Sequence, residues 1–166
     1  LGKCLENNDW EAIKIDLDKN PIEGVDGESS KNIVLSVLAK YGVQKGEIEI
    51  WGSGKPKREF LWSEDMADAC VFLLESRDFK DTFSAQQTEV RNTHINIGTG
   101  VDISIKELVE KIKVEIGYTG NFNFNSSKPD GPIKKLTDAS KLNTLGWKHK
   151  VSLEKGVEKM YAWYLS

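Results

Sequence analysis

The sequence predicts a small mixed α/β domain, not a complete doubly wound sheet. Three observations carry that prediction. Apolar residues recur at helical spacing in separate segments, most clearly at Ile105, Leu108, Val109, Ile112 and Ile116. Short alternating runs at 47–51 ("EIEIW") and 121–125 ("NFNFN") read as strands. The two kinds of segment then follow one another without the regular strand–helix–strand repeat that a full parallel sheet requires. The length of 166 residues, with 39% hydrophobic and 30% charged side chains, suits a globular domain with its own core.

Each element has a local cause. Residues 1–18 are helical in pattern but break at Asn7-Asn8, and Asp9 can cap the restart. Residues 19–29, rich in Pro, Gly, Asn and Asp, form a loop, and Ser30 can cap a helix striped by Ile33, Val34, Val37 and Leu38. This divides the chain into a helical segment, 1–46, and a second part, 47–166. In the second part "GSGKPK" is a turn between strands at 47–51 and 58–62. Ser63 can cap a helix at 64–76, whose Glu64 and Asp65 lie where the helix dipole favours negative charge. "HINIGTGVDIS", 94–104, reads as a strand, a glycine turn and a cap, with Ser104 and Glu107 forming a capping box. "SSKPDG" is a turn, a short helix opens at Asp138 and ends at Gly146, and Ser152 caps the last helix.

Composition excludes several classes. The net charge of −3, with no long basic block, argues against a nucleic-acid partner. No apolar run approaches the roughly 18 residues of a membrane helix. Cys4 and Cys70 are too far apart to suggest a disulfide framework or a zinc site; Cys70, beside Met66, Ala69 and Leu73, reads as a small core residue. A reducing, cytoplasmic setting is the expectation. The first residue is leucine with no signal-like region after it, so the chain is expected to begin inside a longer protein or to have been trimmed.

Catalytic chemistry is hard to find. "INIGTG" stops short of a dinucleotide fingerprint, because the third glycine would fall on Ile103. His94 and His149 have no evident partner, and no Tyr-x-x-x-Lys occurs. What remains is anion capture. Arg58 directly follows a glycine loop, where a guanidinium can pair with phosphate oxygens. Lys128 sits on a second loop with Lys134 and Lys135 beyond it, and Trp51 offers a flat face to a base or sugar. From the residues alone, each reads as a surface charge or a hairpin aromatic before it reads as a ligand contact.

Those residues also carry a resemblance. "EIWGSGKPKREFLWSEDMADACVFLLES", "NTHINIGTGVDISIKELVEKI", "SKPDGPIKKLTDASKLNTLGWKHK" and "SLEKGVEKMYAWYL" resemble the C-terminal part of the GDP-L-fucose synthase family, within the extended short-chain dehydrogenase/reductases. The resemblance runs from about residue 47 to the end, and residues 1–46 resemble an insertion found in some bacterial members. It implies a small mixed α/β domain that binds a GDP-sugar, with the Rossmann domain absent. It also implies that NADPH and the catalytic Ser, Tyr and Lys belong to that missing N-terminal domain, through which the full-length enzyme would dimerise. By the same resemblance Trp51 packs near the nucleotide-sugar, Arg58 binds the diphosphate and Lys128 contacts the nucleotide. The implied reaction is epimerisation and reduction of GDP-4-keto-6-deoxy-D-mannose, with this chain inactive by itself. Two departures stand out: Ser63-Glu64-Asp65 replaces a Val-Asp-Asp-like run, and Lys134-Lys135 replaces an Arg-Lys pair, which loses the paired fork of the arginine. A stand-alone nucleotide-sugar-binding module, or a part of another nucleotide-sugar epimerase or dehydratase, are the competing expectations.

Overall fold

The computed structural model describes residues 1–84, 86 and 88–166. It is a mixed α/β structure with two three-stranded sheets, in two compact units: 1–55 with 116–131, and 56–115 with 132–166. Among the described residues no helix is long and apolar enough to cross a membrane.

The first unit opens with helices α1 (Gly2–Glu6), α2 (Trp10–Lys19) and α3 (Lys31–Lys40). Asp9 caps α2 by accepting from the Ala12 amide at 3.0 Å, as its position before the apolar run requires. Leu5, Ile13, Leu17, Val25, Val34 and Leu38 bury one another in a core of their own. Strands β1 (Val43–Gln44) and β2 (Glu47–Trp51) pair antiparallel, and β2 pairs in parallel with β5 (Asn121–Asn125). The helices are tied to this sheet. Lys3 Nζ donates to the Ile116 carbonyl at 2.9 Å and Thr119 Oγ1 donates to Glu6 at 2.6 Å. Gly2 packs against Ile48, whose Cδ1 a Cβ there would meet at 2.9 Å. The boundary read from sequence at 46/47 thus falls inside this unit, where β1 pairs with β2.

In the second unit β3 (Lys57–Glu59) is the central strand, antiparallel to β4 (Asp102–Ser104) and parallel to β6 (Lys134–Lys135). Helix α4 (Ser63–Ser76) packs through Ala69, Phe72 and Leu73 with Leu142 of α6 (Ser140–Thr144) and with Trp147. Helix α5 (Ile105–Ile116) begins at the Ser104–Glu107 capping box, whose two reciprocal bonds are 3.0 and 3.1 Å. Helix α7 (Leu153–Leu165) is capped by Ser152. Asp65, 4% exposed, accepts from the amides of Lys150 and Val151 at 3.1 and 2.9 Å, so a first-turn carboxylate of α4 fixes the approach to α7.

Three local expectations are corrected. The strand at 58–62 is only Lys57–Glu59, because neither neighbouring ladder extends past Glu59. Residues 94–98 form no ladder. Ile95 and Ile97 pack on the Ala69–Leu142–Trp147 cluster, and the strand lies beyond the glycine turn at Asp102–Ser104. Cys70 is exposed, and so is Met66, because α4 buries the neighbouring stripe through Ala69.

The glycine turn has an internal ligand. Glu59 accepts from the amide of Gly100 at 2.6 Å, the hydroxyl of Thr99 at 3.2 Å and the amide of Thr137 at 3.1 Å. A Cβ on Gly98 would lie 2.6 Å from the same carboxylate. Burial pushes the Glu59 carboxyl up, but those hydrogen bonds together outweigh it and hold the group below its usual value.

Two measurements check this account. Asp65→Ala, which strands two part-buried amides, should cost on the order of 2 kcal/mol by urea unfolding, and Asp65→Asn should cost less. A carboxylate whose folded pKa is depressed adds stability above its unfolded pKa and loses it as pH falls through the folded one. Stability should therefore decline on acidification below about pH 4.5, and Glu59→Gln should flatten that decline; an identical acid profile in the variant would remove Glu59 from the cage.

Candidate functional site

Strands β2 and β5 run in parallel and end together, Trp51 opposite Asn125. The loops leaving their carboxyl ends are the place where open α/β sheets hold ligands. Both loops are fixed. Gly52 turns the chain at φ +88° and donates its amide to the Asn125 carbonyl at 3.0 Å. Ser53 gives its amide and its hydroxyl to the two oxygens of Asp130, at 2.8 and 2.6 Å. The Ser53 hydroxyl is the larger influence holding the Asp130 carboxyl below its usual value, followed by the amide. A side chain on Gly52 would collide with Asp130, so the glycine lets the two loops meet.

This clamp brings together two of the three residues singled out from sequence. Trp51 is 65% exposed, unusual for so large an apolar ring, and the Lys128 ammonium lies 5.0 Å from its centroid. The pair presents one flat apolar face and one exposed cation.

Arg58 lies in the other unit, in β3. Its Nη1 donates to the carbonyls of Pro132, at 2.8 Å, and Lys57, at 2.6 Å. Among the described residues Nε and Nη2 have no protein partner, so one edge of the guanidinium remains available to an anion. Register adds a residue that sequence reasoning did not single out. Lys135 of β6 stands directly opposite Arg58, and side chains opposite one another share a sheet face. Lys57 and Lys134 occupy the other face, where both lie near Asp102, at 3.7 and 3.6 Å. One face is thus a partly neutralised charge cluster and the other a pair of cations. Asp130 and Ser53 were equally missed, since only the meeting of two loops 77 residues apart reveals them. The adjacent basic residues Lys134-Lys135 were the available signal for the second cation, and strand alternation separates their roles.

Among the described residues, the glycine turn before β4 and α5 does not fit a dinucleotide's phosphates, because the Glu59 carboxylate already takes its Gly100 amide. Among the described residues no His, Cys, Asp and Glu cluster could hold a metal.

Residues 22–98 match the NAD dependent epimerase/dehydratase family. The chain is 43% identical over 141 residues to the GDP-L-fucose synthase of Escherichia coli (strain K12), covering 82% of this chain and 43% of that protein. It superposes on a GDP-6-OMe-4-keto-L-xylo-heptose reductase from C. jejuni with a TM-score of 0.83 and 40% identity, over 99% of this chain and 44% of that one. A GDP-L-fucose synthetase from Naegleria fowleri bound to NADP gives a TM-score of 0.57 and 28% identity, over 72% of this chain and 34% of that one. The chain spans between a third and about two fifths of the length of the curated relatives it matches. With its mixed α/β fold the chain is similar over residues 22–98 to the NAD dependent epimerase/dehydratase family, and over most of its length to GDP-L-fucose synthases.

Proposed function

We propose that this chain is the GDP-sugar-binding part of an NADPH-dependent GDP-4-keto-sugar epimerase/reductase of the GDP-L-fucose synthase type, acting on GDP-4-keto-6-deoxy-D-mannose. The observation that carries the reading is the Trp51–Lys128 pair at the carboxyl ends of two parallel strands, in a chain similar over most of its length to GDP-L-fucose synthases. The first unit offers a stacking face and a cation suited to a nucleotide. In the second unit, taken by itself, Arg58 and Lys135 are suited to an anionic group. Binding energy from the GDP holds the sugar for chemistry done by other groups. NADPH would be held by polypeptide outside these 166 residues, because the glycine turn here is filled by Glu59.

A second reading concerns the sugar. The C. jejuni heptose reductase covers 99% of this chain, whereas the Naegleria fucose synthetase covers 72%. The helical segment that begins this chain therefore has a counterpart in a heptose enzyme. On this reading the substrate is a GDP-4-keto-heptose, reduced at C4.

Four results test these readings. The 166-residue chain by itself should not oxidise NADPH with either keto-sugar, and turnover would refute the division of labour. In the full-length protein Arg58→Ala should weaken GDP binding by roughly 1.5–3 kcal/mol by calorimetry, the scale of a hydrogen bond to a charged group. Lys135→Ala should weaken it less and reduce its dependence on salt. Comparing turnover of the 6-deoxyhexose and heptose substrates by the full-length protein decides the sugar, and faster turnover of the hexose would overturn the heptose reading.

A further inference from the structure

We infer that the bare face of α4 and the open backbone edge of residues 93–97 together dock a β-sheet, carried by polypeptide of the same protein outside these 166 residues. This rests on the reading above, which assigns NADPH to that polypeptide, and adds the surface where the two are joined. Both features lie in the second unit. Residues 94–97 bury their side chains alternately: Ile95 and Ile97 pack on the Ala69–Leu142–Trp147 cluster, while His94 and Asn96 are exposed. That is the burial of a strand, yet among the described residues no strand pairs with it. In an extended chain, residues of one parity present their amide and carbonyl on the same edge. On one edge Lys141 Nζ donates to the carbonyls of Asn92 and His94, at 2.6 and 3.1 Å. On the other, the backbone groups of Thr93, Ile95 and Ile97 have no partner among the described residues. A row of unpaired groups of this kind is a template for another strand.

The neighbouring helix lacks a cover of the matching sort. In α4, Met66, Ala67, Cys70, Val71 and Leu74 fall at i, i+1, i+4, i+5 and i+8 and make one stripe, all of it exposed, Leu74 to 85%. The opposite stripe is packed through Ala69, Phe72 and Leu73. A helix apolar on both sides belongs in the interior of a larger structure. A sheet continuing from the 93–97 edge meets both needs: its first strand completes the ladder, and its face covers the stripe. The missing strand at 94–98 and the exposure of Cys70, both contrary to the sequence pattern, then have one cause. Polypeptide for such a sheet exists in a relative: more than half of the C. jejuni heptose reductase lies outside the part that superposes on this chain.

The test follows Cys70 and the backbone amides of 93–97 in the full-length protein by mass spectrometry. A maleimide should label Cys70 roughly a hundredfold more slowly than in the urea-unfolded protein, and the amides of Ile95 and Ile97 should be slowed in exchange by about the same factor. Leu74→Glu should lower the melting temperature by several degrees, because it buries an unpaired charge, whereas Val114→Glu, at an 80% exposed position of α5, should not. Free labelling of Cys70, or rapid exchange of those amides, overturns the inference whether or not the protein is active. Protection that fades on dilution means that a second copy covers the face, and overturns it as well. Lasting protection in a protein that neither binds GDP nor oxidises NADPH refutes the function proposed above and leaves the docking face standing.

Discussion

The parallel pairing of β2 with β5 is the constraint on which the candidate nucleotide site depends. Five residue pairs, from Glu47 with Asn121 to Trp51 with Asn125, bring together strands more than 70 residues apart. Parallel strands end on the same side, so the pairing delivers two loops to one edge. The Asp130 carboxylate then joins them through Ser53, at a position where only glycine can precede the serine. An exposed tryptophan and a lysine meet as a consequence. Without the ladder, Trp51 and Lys128 would be unrelated surface residues.

A second constraint is the use of internal carboxylates to hold backbone. Glu59 fills the glycine turn, and Asp65 fixes the approach to α7. In each case a buried or partly buried charge is matched by amide donors, which is what makes such a charge tolerable. The Glu59 cage also has a functional side. A glycine turn before a helix is a natural place for an anion, but here the protein supplies its own. Arg58 and Lys135 share the sheet face opposite Lys57 and Lys134, which lie beside Asp102.

Local signals were read well where the cause is local. The break at Asn7-Asn8, the Asp9 cap, the Ser104–Glu107 box and the stripe of α5 all depend on residues within a turn or two of one another. The misreadings share another cause. "HINIG" alternates like a strand, but its two isoleucines are met by helix side chains instead of a neighbouring strand. Cys70 sits among apolar neighbours in sequence, but the packed stripe of α4 passes through Ala69. Alternation and periodicity report which side chains want burial, not what comes to bury them.

The sequence by itself determined the fold class, most helix boundaries, the family resemblance and the three residues Trp51, Arg58 and Lys128 as candidates, because caps, periodicity and motifs are encoded over short spans. Only the tertiary structure decided which of these stand side by side. It set Lys128 over Trp51, placed Arg58 in the other unit opposite Lys135, and revealed Asp130 as the clamp. The physical reason is that strand register and loop closure are long-range events: they depend on partners 70 or more residues away, and no local pattern specifies which partner will arrive.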